Sequence, residues 1–140
     1  MRVVLDTNIL VSGVISPGGP PRRLLDGVRA QRFELCSSAT LLAELLDVLL
    51  REKFAARLIQ AGSSPQGAVA DLRRLAYMVT PQTVPRVIEH DTDDDHVLAC
   101  AVAGQAELIV SGDKHLHGLG GYYQGIPIVY AARAVQLIGI

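Results

Sequence analysis

The sequence predicts an α/β fold with a parallel sheet covered by helices on both faces. Short apolar runs rich in β-branched residues, such as Arg2 to Leu5 and Glu107 to Val110, lack the polar alternation of a sheet with one wet face. These runs alternate along the chain with longer segments of helical periodicity. Helical crossovers between short buried strands place those strands parallel in one sheet.

Arg2 to Leu5 reads as the first strand and stops at Asp6, and Asn8 to Ile15 reads as a helix of apolar and small residues. Pro17-Gly18-Gly19-Pro20-Pro21 is a loop, with Pro21 suited to the first turn of a helix reaching about Ala30. Phe33 to Cys36 is the second strand. Ser37 or Ser38 can cap the next helix, whose core face is Leu41, Leu42, Leu45, Leu46 and Leu49. Gly62 to Pro65 breaks the chain, and Ser64 caps a helix that starts at Pro65 and ends near Ala76. Met78 to Thr80 is a short strand and His90 to Asp94 an acidic loop. Asp93 or Asp94 caps a helix from Asp95 to Ala103. Glu107 to Val110 and Ile126 to Val129 are the remaining strands, and Ala131 to Leu137 is the last helix. The sequence holds no repeat, low-complexity tract or linker that would split it, so residues 1–140 are expected to form one domain.

With 49% apolar residues and a formal charge of −1, the chain is expected to fold, and its overall charge does not advertise nucleic-acid binding. A nucleic-acid function must therefore rest on a local site. Cys36 and Cys100 both lie in apolar runs without Cys-x-x-Cys spacing, which predicts two buried free thiols in a reducing cytosol. Asp6 interrupts the first apolar run before a signal-peptide core can form, and no run approaches the ~18 residues of a membrane span. A cytoplasmic protein without membrane association is expected.

Four carboxylates converge in this reading. In a parallel α/β sheet, sites form at the carboxyl ends of the strands. Asp6 ends the first strand and Asp113 follows the Glu107 to Val110 strand. Glu44 lies in the second turn of the helix after the second strand, and Asp95 starts the helix that leads into the Glu107 strand. Helix starts lie beside strand ends, so all four reach one edge. Clustered carboxylates repel one another unless a cation neutralises them. A hard divalent ion with oxygen ligands fits, and Mg²⁺ keeps positions open for water and phosphate. His115 and His117, one residue apart, suit a strand better than a helical ligand face.

Each residue also has an ordinary role. Asp6 can form an Asx-turn, the aspartates at 93–95 can cap a helix, and Asp113 sits in the turn sequence Ser-Gly-Asp-Lys. Glu44 is harder to explain so, because it borders the apolar stripe between Leu41 and Val48. Asn8, the one asparagine in the chain, can hold a metal-bound water, orient Asp6 or cap its helix. Ser111 can bind a ligand water or simply form the turn. A nucleotide-binding or phosphoacceptor module would need a Gly-rich loop directly after the first strand, where Asp6-Thr7-Asn8-Ile9 stands instead.

Val3-Val4-Leu5-Asp6-Thr7-Asn8-Ile9-Leu10 resembles the opening strand and Asp-x-Asn motif of PIN domains. Glu44 in its leucine-rich helix, Asp93-Asp94-Asp95-His96-Val97-Leu98-Ala99, and Ile109-Val110-Ser111-Gly112-Asp113 resemble the other acidic motifs of that family, in order and over essentially the whole chain. The Gly-Gly-Pro-Pro loop and triple aspartate are most similar to the bacterial branch described as toxins of toxin–antitoxin pairs. The resemblance implies a Rossmann-like α/β/α sandwich and a metal-dependent endoribonuclease that acts on single-stranded RNA. It implies Mg²⁺ or Mn²⁺ held by Asp6, Glu44, Asp95 and Asp113, with Asp94 the runner-up to Asp95 and Asn8 and Ser111 in support. It also implies a homodimer and a small antitoxin partner. Arg22 and Lys114 are the cations expected to contact substrate; Arg23, Arg51, Lys53 and Arg57 read as solvated surface charge. The chain has four tyrosines and two phenylalanines, too few to make an aromatic platform for single strands obvious. The competing reading is a non-enzymatic PIN-like scaffold that binds RNA or a protein.

Overall fold

The computed structural model describes the backbone at residues 1–88 and 92–140; the side chains at 92 and 93 lie outside that description. β1 (Arg2–Leu5) is followed, after Asp6, by α1 (Thr7–Ile15). α2 (Pro20–Arg29) opens on two prolines, which lack an N–H that a first turn leaves unsatisfied anyway. β2 (Glu34–Ser38) runs directly into α3 (Ala39–Leu49), where the Ser38 hydroxyl accepts from the Leu41 N–H at 3.2 Å. α4 (Glu52–Gln60) has no counterpart in the sequence reading; Leu58 is its one buried residue, with Phe54 partly buried against the same core. Ser64 caps α5 (Pro65–Leu75) through the Gly67 N–H at 3.0 Å, with Pro65 in the first turn.

β3 (Tyr77–Val79) starts one residue earlier than expected. α6 (Thr92–Ala103) begins at Thr92 rather than Asp95, so Asp93 and Asp94 belong to its first turn instead of capping it. The rest of the expected acidic loop, at 90 and 91, lies outside the described residues. β4 (Leu108–Val110) leads through Asp113 to the short helix α7 (Lys114–His117). The spacing of His115 and His117 suits a strand, but the structure puts them on a helical turn: the Asp113 carboxylate accepts from the His115 N–H at 2.7 Å and starts it. β5 (Tyr122–Tyr123), β6 (Ile126–Val129) and α8 (Ala131–Ile138) complete the chain.

The sheet order is β3-β2-β1-β4-β6-β5, parallel except for the edge strand β5, which runs antiparallel to β6. Val3, Leu5, Leu35, Leu108 and Val110 face one side, where they pack with residues of α1, α2, α3, α4, α5 and α8. Val4, Cys36, Ile109 and Ile128 face the other, against α6 and Leu116 of α7. The period-2 alternation of each strand thus feeds two cores, and the fold is the α/β/α sandwich that the sequence predicts. Cys36 and Cys100 are free thiols in the second core, with sulfurs 4.0 Å apart. Among the described residues no helix is long and apolar enough to cross a membrane.

This order positions the site. The chain steps outward from β1 through β2 to β3, then returns to place β4 on the other side of β1. The crossover direction therefore reverses between β1 and β4, and the crevice beyond their carboxyl ends is where sheets of this type take ligands.

Candidate active site

A cleft of about 380 Å³ opens beyond the ends of β1 and β4. Asp6, Glu44, Asp94 and Asp113 line it, together with Thr7, Asn8, Asp47, Val48 and Arg51. Asp6 arrives as the first residue past β1, and its own N–H donates to the Val110 carbonyl at 3.0 Å, which ties it to the end of β4. Its side chain is only 6% exposed. The Ser111 hydroxyl donates to Asp6 Oδ2 at 2.6 Å and accepts from the Asp113 N–H at 2.9 Å. One buried hydroxyl therefore fixes both aspartate-bearing loops. Glu44 projects from α3 and accepts from the Thr7 hydroxyl at 3.2 Å. Asp113 spends Oδ1 on the His115 N–H.

The triple aspartate divides in a way that differs from the expected ligand set. Adjacent helical residues point about 100° apart, and Asp94 and Asp95 face different surroundings here. Asp94, 4% exposed, lines the cleft. Asp95 is not among the lining residues: its Oδ1 accepts from the Val87 and Ile88 N–H groups at 3.0 and 2.9 Å and anchors the preceding loop to α6. The side chain of Asp93 lies outside the described residues.

The cations also differ from those expected. Arg22 lies away from the cleft; it pairs with Asp26 at 3.4 Å and donates to the Gly13 carbonyl. Lys114 is exposed at the start of α7, next to Asp113 but not lining the cleft. Arg51 is the basic side chain that lines it. Asp47 and Arg51 follow Glu44 at helical spacings of three and seven, which put all three on one side of α3 and its end. That spacing was the available signal for both residues.

Among the described residues, no three Asp, Glu, His or Cys side chains stand close enough to hold a metal ion as placed. The donor chemistry of the cleft nevertheless fits a hard divalent cation. Its lining offers carboxylate and amide oxygens and no thiol or imidazole.

Comparison with known proteins adds three findings. A family model described as PIN domain matches residues 2–115. An uncharacterized protein of Methanocaldococcus jannaschii is 28% identical over 119 residues, 85% of this chain and 75% of that protein. The crystal structure of VapBC2 from Rickettsia felis, bound to a DNA fragment from their promoter, matches with a TM-score of 0.61 and 14% identity, over 93% of this chain and 98% of that one. At that identity the likeness is one of fold.

Proposed function

The chain belongs to the PIN-domain family, and on that premise we propose that it is a metal-dependent endoribonuclease that cleaves single-stranded RNA as the toxin of a toxin–antitoxin pair. The observation that carries this reading is the cleft at the sheet's switch point, lined by Asp6, Glu44, Asp94 and Asp113. These four would hold Mg²⁺ or Mn²⁺, with Asp94 in the role that the sequence motif assigned to Asp95. A bound divalent cation supplies a Lewis acid that offsets phosphate charge and makes water a stronger nucleophile at neutral pH.

The chain's own groups do the rest. Ser111 orients Asp6, and Thr7 steadies Glu44. Arg51 offers a guanidinium to a phosphate entering an otherwise acidic cleft. Asn8, exposed at the cleft, offers an amide to water or a ribose hydroxyl. The fold likeness to VapBC2 supports a small antitoxin as partner; a homodimer and a cytoplasmic site of action complete the proposal.

The test is cleavage of a labelled single-stranded RNA with Mg²⁺ or Mn²⁺, with EDTA as control. Asp6→Asn keeps the side-chain volume and removes the charge, and is expected to abolish cleavage in a folded protein. Cleavage that survives both EDTA and Asp6→Asn rules the mechanism out. The scaffold reading draws on the lack of a ready three-group metal centre among the described residues. It gains the field if the wild-type protein binds RNA or a protein partner and cleaves no RNA.

A further inference from the structure

We propose that the stacked rings of His117 and Tyr130 form a platform for one nucleobase of the substrate strand, beside the carboxylate cleft. This rests on the nuclease reading above and names where the strand is held. The two rings lie 3.7 Å apart between centroids and 8° from parallel. His117 is half-buried and covers one face of Tyr130, while Tyr130 remains 55% exposed. An exposed aromatic face, already held flat by a second ring, takes a base without first losing side-chain freedom, and stacking of this kind accepts any base.

The platform is joined to the cleft by short, named contacts. His117 Nε2 lies 2.7 Å from the Ser111 carbonyl oxygen, and the hydroxyl of the same serine donates to Asp6. Tyr130 directly follows β6, whose Val129 carbonyl accepts the Ser111 N–H at 3.0 Å. Along the carboxyl edge of the sheet the order is therefore Asp6 after β1, Asp113 after β4 and Tyr130 after β6. Neighbouring strands are about 4.8 Å apart, so the platform stands about one strand beyond the Asp113 loop. Lys114, three residues before His117, and Arg133, three residues after Tyr130, are exposed and form no ion pair with a carboxylate among the described residues. They supply the positive charge that a backbone leaving an acidic cleft requires.

The experiment is an abasic scan. Binding of a short labelled RNA, with one abasic nucleotide moved along it, is measured on the inactive Asp6→Asn protein, and cleavage sites are mapped on the active one. One abasic position near the cleaved bond is expected to weaken binding by roughly tenfold. Adding Tyr130→Ala should weaken binding of the intact strand by a similar factor and remove the penalty at that position, whereas Tyr130→Phe should keep both. A wild-type protein that cleaves RNA but has no position-specific abasic penalty, or whose penalty persists in Tyr130→Ala, overturns the platform and leaves the nuclease reading standing. A wild-type protein that neither binds nor cleaves single strands overturns both.

Discussion

The Ser111 hydroxyl donates to Asp6 Oδ2 across 2.6 Å, so a residue at the end of β4 sets the orientation of a carboxylate at the end of β1. Ser111 is fully buried and also accepts the Asp113 N–H. Replacing it with alanine removes one donor from a buried carboxylate and the acceptor of a backbone N–H together. Ser111→Ala is expected to cost about 1–3 kcal/mol of stability, read as a lower midpoint in denaturant unfolding. Cleavage measured where the variant is still folded should fall by more than the folded fraction does. Unchanged activity would show that Asp6 needs no such support.

Asp94 and Asp95 should separate cleanly by substitution. Asp95→Ala leaves the Val87 and Ile88 N–H groups without an acceptor and is expected to destabilise the fold by about 2–4 kcal/mol. Asp95→Asn keeps an oxygen acceptor there and should be milder in stability and near wild type in activity. Asp94→Asn should fold normally and lose cleavage. Thermal melts paired with cleavage assays check this, and the opposite pattern would return Asp95 to the metal site.

The buried thiols predict an alkaline limit. Contact with Cys36, then burial, raises the Cys100 thiol above its ordinary range. The shared contact pulls Cys36 the other way while burial opposes that pull, and for the pair the surviving direction is upward. A group with a raised folded-state pKa gives stability that is intact below its unfolded pKa and lost as pH rises beyond it. Above about pH 9 the unfolded chain releases the Cys100 proton and the folded chain keeps it, so stability should fall by up to about 1.4 kcal/mol per pH unit. Denaturant titrations between neutral and alkaline pH should show this slope in the wild type and a shallower one in Cys100→Ala. Equal slopes would remove the thiol as the cause.

Much of this was legible in sequence because it rests on local patterns. Short apolar runs mark every strand but the two-residue β5, and Ser37 or Ser38, Ser64 and Pro65 mark two helix starts by capping chemistry. Asp6, Glu44 and Asp113 gave three cleft carboxylates by their positions after strands. The illegible parts depend on side-chain contacts that no periodicity or motif records. The split between Asp94 and Asp95 is decided by where residues 87 and 88 run, which no motif records. α4 has little buried surface, and α7 forms because Asp113 caps it against the alternation of His115 and His117. Arg22 looked available for substrate, yet Asp26 and the Gly13 carbonyl occupy it. Arg51 reads from sequence as solvated surface charge, because its value lies in the acidic neighbours that share the cleft with it.

Calorimetric titration of Mn²⁺ into the metal-free protein at neutral pH decides whether the carboxylate cleft is a divalent-cation site. Binding also stabilises the fold, by about 2.7 kcal/mol at a hundredfold excess over Kd, so the same titration can be followed as a rise in Tm. A cation site built by these carboxylates requires saturable binding to the wild type, weakened by more than an order of magnitude in Asp6→Asn and Asp94→Asn and retained in Asp95→Asn. No heat of binding and no Tm shift in the wild type, or equal binding by Asp6→Asn, would contradict it.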